Sequence, residues 1–174
     1  ALEKEWTSWI RYGTVELLEE EEQQRILREH PDLILKLRVL HTDKNEVNRG
    51  PGDSIEDVPI IAKCRLICDG YNDTKWQAGE VDTASPTLPR EGLTALLQTA
   101  VNNGWAIWIG DVETAFMQGA NLDRAVYLRA PPQGLPEVTL DGVTTRAIAP
   151  NELMLARKAA YGMPEAPLMW RKEH

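Results

Sequence analysis

Trp105-Ala106-Ile107-Trp108-Ile109-Gly110-Asp111-Val112-Glu113-Thr114-Ala115-Phe116 decides how this chain is read, because an apolar run drives into one carboxylate and then turns. Bulky aromatic and β-branched residues favour extended backbone, so a strand is expected from Trp105 to Val112. A carboxylate at a strand end beside a small-residue turn can hold a divalent cation, since magnesium takes hard oxygen ligands. The local alternative is that Asp111 caps a short helix beginning at Val112, a position where Asp is favoured.

Working outward, Leu93, Leu96, Leu97, Ala100 and Val101 recur at helical spacing, which predicts an amphipathic helix from Gly92 to Val101 stopped by Asn102-Asn103-Gly104. Helix and strand follow at once and are expected to pack together. Further upstream, Leu33 to Leu40 and Ile60 to Cys68 read as two strands joined by a loop of about 17 residues, more than a compact hairpin needs. In the second of them Lys63 and Arg65 share one face, and Cys64 and Leu66 share the other. The acidic opening predicts two short helices around Gly13, with Glu19 to Glu22 as a solvated face. Downstream, Ala125–Arg129 and Leu153–Arg157 are further strands, Asp141-Gly142 marks a turn, and a helix starts near Pro167. Irregular alternation of strands and helices with hairpin signals favours an α+β fold over a doubly wound sheet.

Composition limits the function classes. A chain of 174 residues with 43% apolar content can build a core and is one domain or part of one. No apolar run approaches the length of about 20 residues that crosses a bilayer, and Ala1-Leu2-Glu3-Lys4-Glu5 is unlike a signal peptide, so an intracellular, non-secreted protein is expected. Cys64 and Cys68 lack zinc-site spacing and are expected to be reduced core thiols. A net charge of −8 argues against a freestanding nucleic-acid binder, yet the charge is uneven. Residues 69–123 carry eight acids against two bases, and residues 124–174 five acids against seven bases. Such a division is compatible with a metal site beside a phosphate-binding surface.

Taken in order, these segments resemble the reverse transcriptase of copia-type retrotransposons over nearly the whole chain. The family's acidic Trp-containing leader corresponds to Glu5-Trp6 with Val15-Glu16-Leu17, and its K-A-R-L-V-x-x-G strand to Lys63-Cys64-Arg65-Leu66-Ile67-Cys68-Asp69-Gly70. A turn of the S-P-T type is matched by Ser85-Pro86-Thr87. The family's G-W…L-D-V-K-T-A-F-L-N-G is matched by Gly104-Trp105 and by Ile109 to Gly119. V-Y-M…P-P-G is matched by Val126-Tyr127-Leu128 with Pro131 to Gly134, and Y-G-L-K-Q-A-P-R-x-W by Tyr161 to Trp170. Any one of these patterns recurs by chance, whereas six in the right order are specific.

The resemblance implies the fingers and partial palm of a reverse-transcriptase fold, incomplete, with antiparallel strands and packed helices. Residues 1–90 would supply leader helices and finger strands, 91–120 the palm helix and first catalytic motif, and 121–174 the remaining fingers and palm. It implies RNA-directed DNA polymerisation with two magnesium ions about 4 Å apart, acting on an RNA or DNA template-primer and deoxynucleotides. Asp111 would be the catalytic metal ligand, with the Val112 carbonyl as a further oxygen. Backbone amides of Glu113, Thr114, Ala115 and Phe116 would meet the triphosphate, and the Phe116 ring would exclude a ribose 2′ hydroxyl. Lys63 and Arg65 would approach the nucleotide or template backbone, or else form an ordinary exposed polar face. Tyr161 and Gly162 would lie near the templating base, while Trp170 is expected in the core.

Asp69, Pro164-Glu165 and Leu168 depart from the family pattern and remove cations or add anions along the expected phosphate path. The family's second metal element, a hairpin with paired aspartates, lies downstream of the Tyr-Gly segment, as do the further palm, thumb and ribonuclease H regions of the polyprotein. The isolated chain is therefore expected to be inactive, in a cytoplasmic particle or the nucleus. The alternative is a decayed retroelement fragment serving as a non-catalytic interaction or structural domain. An unrelated metal enzyme would need a second acid beside Asp111, from Glu113, Asp69 or Asp82.

Overall fold

A computed structural model describes residues 1–85 and 87–174, so the Ser85-Pro86-Thr87 turn rests on a residue outside the described ones. The elements in chain order are α1 (Leu2–Arg11), β1 (Val15–Leu17), α2 (Glu20–Glu29), β2 (Ile34–Asp43), β3 (Ala62–Cys68), α3 (Thr74–Gln77), α4 (Arg90–Asn102), β4 (Tyr127–Arg129), β5 (Val138–Leu140), β6 (Val143–Thr145), β7 (Leu153–Ala156) and α5 (Ala166–Glu173). Val15 to Leu17, expected within the opening helical pair, is a strand instead. It follows the turn at Gly13 and its extended backbone is fixed by pairing with Leu155 and its neighbours in β7.

Five strands make one sheet in the order β1-β7-β4-β2-β3, and β5 and β6 form a separate hairpin turned by Asp141-Gly142. The α+β expectation holds as a mixed fold, with one difference: β2 and β4 run parallel, Ile34 beside Tyr127 and Leu35 beside Leu128. A parallel pair needs a long crossover, and the residues between β2 and β4 supply it.

Alternation along β2 and β3 creates the two sheet faces. Leu35, Leu37, Leu66 and Cys68 are buried in one cluster with Trp6 and Trp9 of α1 and Met169 of α5, and Cys64 is buried on the same side. Lys36, Arg38, Arg65 and the half-buried Lys63 lie on the other side. Both cysteines are free and buried, as expected of core thiols, and burial raises the thiol pKa of each. At the β1 end, Ile26 of α2 closes a smaller cluster with Leu18 and Leu153.

The stretch expected as a strand from Trp105 to Val112 forms no ladder. It carries no regular secondary structure, and Trp108 and Ile109 are 92% and 96% exposed. β-structure needs a partner strand, and every strand of the sheet is already placed elsewhere. The neighbouring helix is present, yet Leu93, Leu96, Leu97 and Val101 are exposed, so helix and strand do not bury each other as expected. Trp170 also differs: it is half-buried and stacks on His174 at 3.9 Å rather than entering the core.

One ionic cluster ties the second half of the chain to the first. The Arg124 guanidinium pairs with Asp73, the side-chain cap of α3, and donates from Nε to Glu165 at 2.8 Å where α5 begins. Asp73 and Glu165 are only 2% and 1% exposed. Arg124→Ala would strand two buried carboxylates, and we expect it to lower unfolding stability by about 3–5 kcal/mol in urea denaturation. Hydrogen exchange should find the amides of residues 106–112 unprotected on the timescale at which β2 and β3 amides are protected.

Candidate functional site

β3 is an edge strand, and two contacts cover its outward backbone. The Leu66 N–H donates to Glu5 Oε1 at 3.1 Å, and the Cys68 N–H donates to the Tyr161 carbonyl at 2.7 Å. The turn carrying Tyr161 presses so closely that a Cβ at Gly162 would stand 2.1 Å from the Cys68 carbonyl oxygen. Gly162 also sits at φ +90, where a side chain is strained. Only glycine permits this approach, which explains the Tyr-Gly pair in physical terms.

Beside that edge lies a cleft of about 630 Å³. Lys63, Cys64 and Arg65 of β3 line it together with Asp111, Val112, Glu113, Thr114 and Tyr161. Seven residues named from sequence therefore meet in one place: Lys63, Arg65, Asp111, Val112, Glu113, Thr114 and Tyr161. Ala115, Phe116 and Gly162 are not part of this lining. The Arg65 guanidinium carbon lies 5.2 Å from the centre of the Tyr161 ring, and Phe116 meets that ring edge-on at 5.5 Å. Such cation–π and edge-to-face contacts fix the three side chains relative to one another. Burial pushes the Tyr161 phenol pKa up; the Arg65 guanidinium opposes this, while Glu5, Asp111 and Glu113 add to it.

The turn after Asp111 is held by its own backbone. Thr114 adopts φ 54, rare for a β-branched residue, and then a 3₁₀ turn runs from Ala115 to Gln118. Gln118 Nε2 donates to the Glu113 carbonyl at 2.8 Å. Gly119 follows, where a Cβ would lie 2.9 Å from the backbone of Met169 in α5, so the turn is seated directly on that helix. Asp111 caps no helix: the 3₁₀ turn begins at Ala115 with Thr114 as its cap residue.

Lys4, Glu5 and Lys44 also line the cleft, and sequence reasoning gave them no role. Glu5 carried a signal only as part of the Glu5-Trp6 leader. Lys44 is placed by the long loop, where Asp43 accepts from the Asn45 and Ile61 amides at 3.0 and 2.9 Å and pairs with Arg49 at 2.5 Å. The charge-changing departures are absent from the lining. Glu165 is buried against Arg124, Leu168 is buried, and Asp69 accepts from Asn72 at 2.6 Å.

Among the described residues no group of three or more His, Cys, Asp or Glu side chains could enclose a metal ion. Asp111 and Glu113 nevertheless line one cleft with the Val112 backbone between them. Hard oxygen donors of this kind suit magnesium held by one or two carboxylates together with substrate phosphates, rather than a protein-only cage.

Lys63 and Arg65 thus share the lining of one cleft with Asp111 and Glu113. A family model described as reverse transcriptase (RNA-dependent DNA polymerase) matches residues 52–173, and the chain belongs to this family. It is similar to the retrovirus-related Pol polyproteins from transposons RE1 and RE2 of Arabidopsis thaliana, each 32% identical over 111 residues, or 64% of this chain. The aligned part spans 7% of each polyprotein. No solved structure matches the chain.

Replacing Thr114 by glycine should relieve its left-handed backbone. Against that, glycine gains freedom in the unfolded chain, and the two effects are each about 1 kcal/mol. We expect Thr114→Gly to leave the melting temperature within a few degrees of wild type and Thr114→Pro to lower it sharply, since proline cannot adopt positive φ.

Proposed function

We propose that this chain forms the fingers and first part of the palm of an RNA-directed DNA polymerase from a copia-type retrotransposon, and that the cleft beside β3 is its nucleotide site. The observation that carries this reading is the meeting of Lys63 and Arg65 with Asp111 and Glu113 in the lining of one cleft, in a member of the reverse transcriptase family.

In this reading Lys63 and Arg65 neutralise the triphosphate, as cations with free donors do for phosphate oxygens. Asp111, with the Val112 carbonyl, would hold magnesium beside the α-phosphate. Magnesium, when bound, would stabilise charge on the attacking 3′ oxygen and the departing pyrophosphate. Amides of Glu113 to Phe116 lie in a left-handed turn followed by a 3₁₀ turn, a geometry that gathers N–H groups toward an anion. Phe116, edge-on to Tyr161 just outside the lining, would in this reading bar a 2′ hydroxyl once its ring meets the sugar. Tyr161 and Gly162 hold the templating end of the cleft against β3.

A second reading, a non-catalytic retroelement fragment, draws on the unpaired state of residues 105–112, since a metal ligand at the end of an unpaired segment is poorly fixed. Both readings expect no primer extension from these 174 residues alone. They part for a longer polypeptide that continues through a paired-aspartate hairpin.

That longer protein should extend a primer with magnesium and deoxynucleotides, and Asp111→Ala should reduce extension by about a thousandfold, the scale of losing one stabiliser of transition-state charge. Because Asp111 is exposed, its thermal melt should be unchanged. Extension at the wild-type rate would remove Asp111 from the mechanism, and no extension by the parent would favour the non-catalytic fragment.

A further inference from the structure

Gly70 and Gly162 meet where no side chain fits: a Cβ on Gly70 would collide with the Gly162 carbonyl oxygen, and one on Gly162 with the Cys68 carbonyl oxygen. Each glycine is followed three residues later by a buried acid, Asp73 after Gly70 and Glu165 after Gly162. Asp73 closes the 3₁₀ turn Gly70–Asn72 by donating its N–H to the Gly70 carbonyl at 3.1 Å, and its carboxylate caps α3. Glu165 stands at the start of α5, just past the turn that carries Tyr161. One guanidinium reaches both acids. Arg124 donates to Asp73 from Nη1 at 3.2 Å and from Nη2, and to Glu165 from Nε at 2.8 Å, with Nη2 2.6 Å from the same carboxylate. The glycine contact and the Arg124 bridge therefore join the same two segments.

The bridge is not a local one, since Arg124 lies 51 residues from Asp73 and 41 from Glu165. Two buried carboxylates on one guanidinium repel each other as soon as the cation is withdrawn. Because the acids belong to the two segments that the glycines press together, that repulsion would part the contact. Tyr161 depends on it directly: its carbonyl accepts from the Cys68 N–H at 2.7 Å, and its ring centre lies 5.2 Å from the Arg65 guanidinium and 5.5 Å from the Phe116 ring. Glu165 is close enough to the end of β3 that its charge, after burial, adds to the raised Cys68 thiol pKa. Arg65 and Tyr161 line the cleft, whereas Arg124, Asp73 and Glu165 do not.

We infer that Arg124 is a positioning residue for the nucleotide cleft: by bridging Asp73 and Glu165 it holds the Gly70 turn against the Gly162 turn, and so keeps Tyr161 seated on β3 with its ring at Arg65. For its effect on a nucleotide the inference rests on the polymerase reading; for the seat of Tyr161 it rests on these contacts alone. Arg124 acts through Tyr161 and touches no substrate itself.

Amide hydrogen exchange on the 174-residue protein tests the seat. The Cys68 N–H points to Tyr161, whereas the Ile67 N–H, by the alternation of an antiparallel edge strand, points to Arg38 of β2. Arg124→Lys keeps the charge but cannot hold two carboxylates in one planar fork. It should speed Cys68 exchange by about tenfold more than Ile67 exchange, because a local opening exposes one amide without the other. A role limited to global stability would speed both alike. Arg124→Met combined with Asp73→Asn and Glu165→Gln removes the buried charges together, and so preserves the fold should Arg124→Lys fail to do so. This triple variant should melt near wild type and still exchange quickly at Cys68. Even acceleration along β3, or wild-type Cys68 protection in the triple variant, overturns the inference. In the longer polypeptide, Arg124→Lys should raise the KM for a deoxynucleotide about tenfold and leave kcat within about twofold; an unchanged KM also overturns it. Failure of the parent polypeptide to extend a primer retires the polymerase reading instead, and the exchange pattern still decides the seat.

Discussion

The seating of the Tyr161-Gly162 turn on the end of β3 is the constraint on which the rest of the cleft depends. A hydrogen bond of 2.7 Å joins Cys68 to Tyr161, and neither Gly162 nor its neighbour across the contact, Gly70, has room for a side chain. From that seat the Tyr161 ring reaches beneath Arg65 and against Phe116. Glu5 finishes the same strand edge from the other direction. The result is a cleft with unequal walls. The β3 wall is fixed by backbone contacts and a packed core, whereas the segment ending at Asp111 has no strand partner. Ordering a catalytic constellation requires both walls to be rigid, so the fixed wall is the part of the site that this chain builds by itself.

Features set by local alternation were legible in the sequence. β2 and β3 show a period of two, which placed Lys63 and Arg65 on one face and the cysteines on the other, as the structure does. The helix before Asn102-Asn103-Gly104 was legible from its apolar spacing. Residues 105–112 were not, because apolar composition records a tendency to be extended while pairing is decided by what lies alongside. The parallel pairing of β2 with β4 was hidden for a similar reason: the two strands are far apart in sequence and their register is a tertiary fact. Seven of the residues named from the family resemblance line one cleft, but the resemblance gave no hint that Lys4 and Lys44 join them.

Charge was the least reliable guide when read along the chain. Glu165 looked like an anion added to a phosphate path, yet it is buried and answers Arg124, which also holds Asp73. Those three residues are separated widely in sequence and neutralise one another only after folding. Conversely, the β2–β3 register brings Asp69, which follows the strand in sequence, opposite Lys36 in space. A formal charge informs on function only once its partners are known.

The exposed apolar surface of Trp108, Ile109 and the α4 leucines has a thermal consequence. Burial of apolar area near room temperature is driven mainly by entropy and carries a negative heat-capacity change. Any surface that comes to cover these residues is held by a force that weakens on cooling. Completion of the wall bearing Asp111 is thereby tied to temperature, and the assembled cleft would be cold-labile while the β3 wall, already packed, persists.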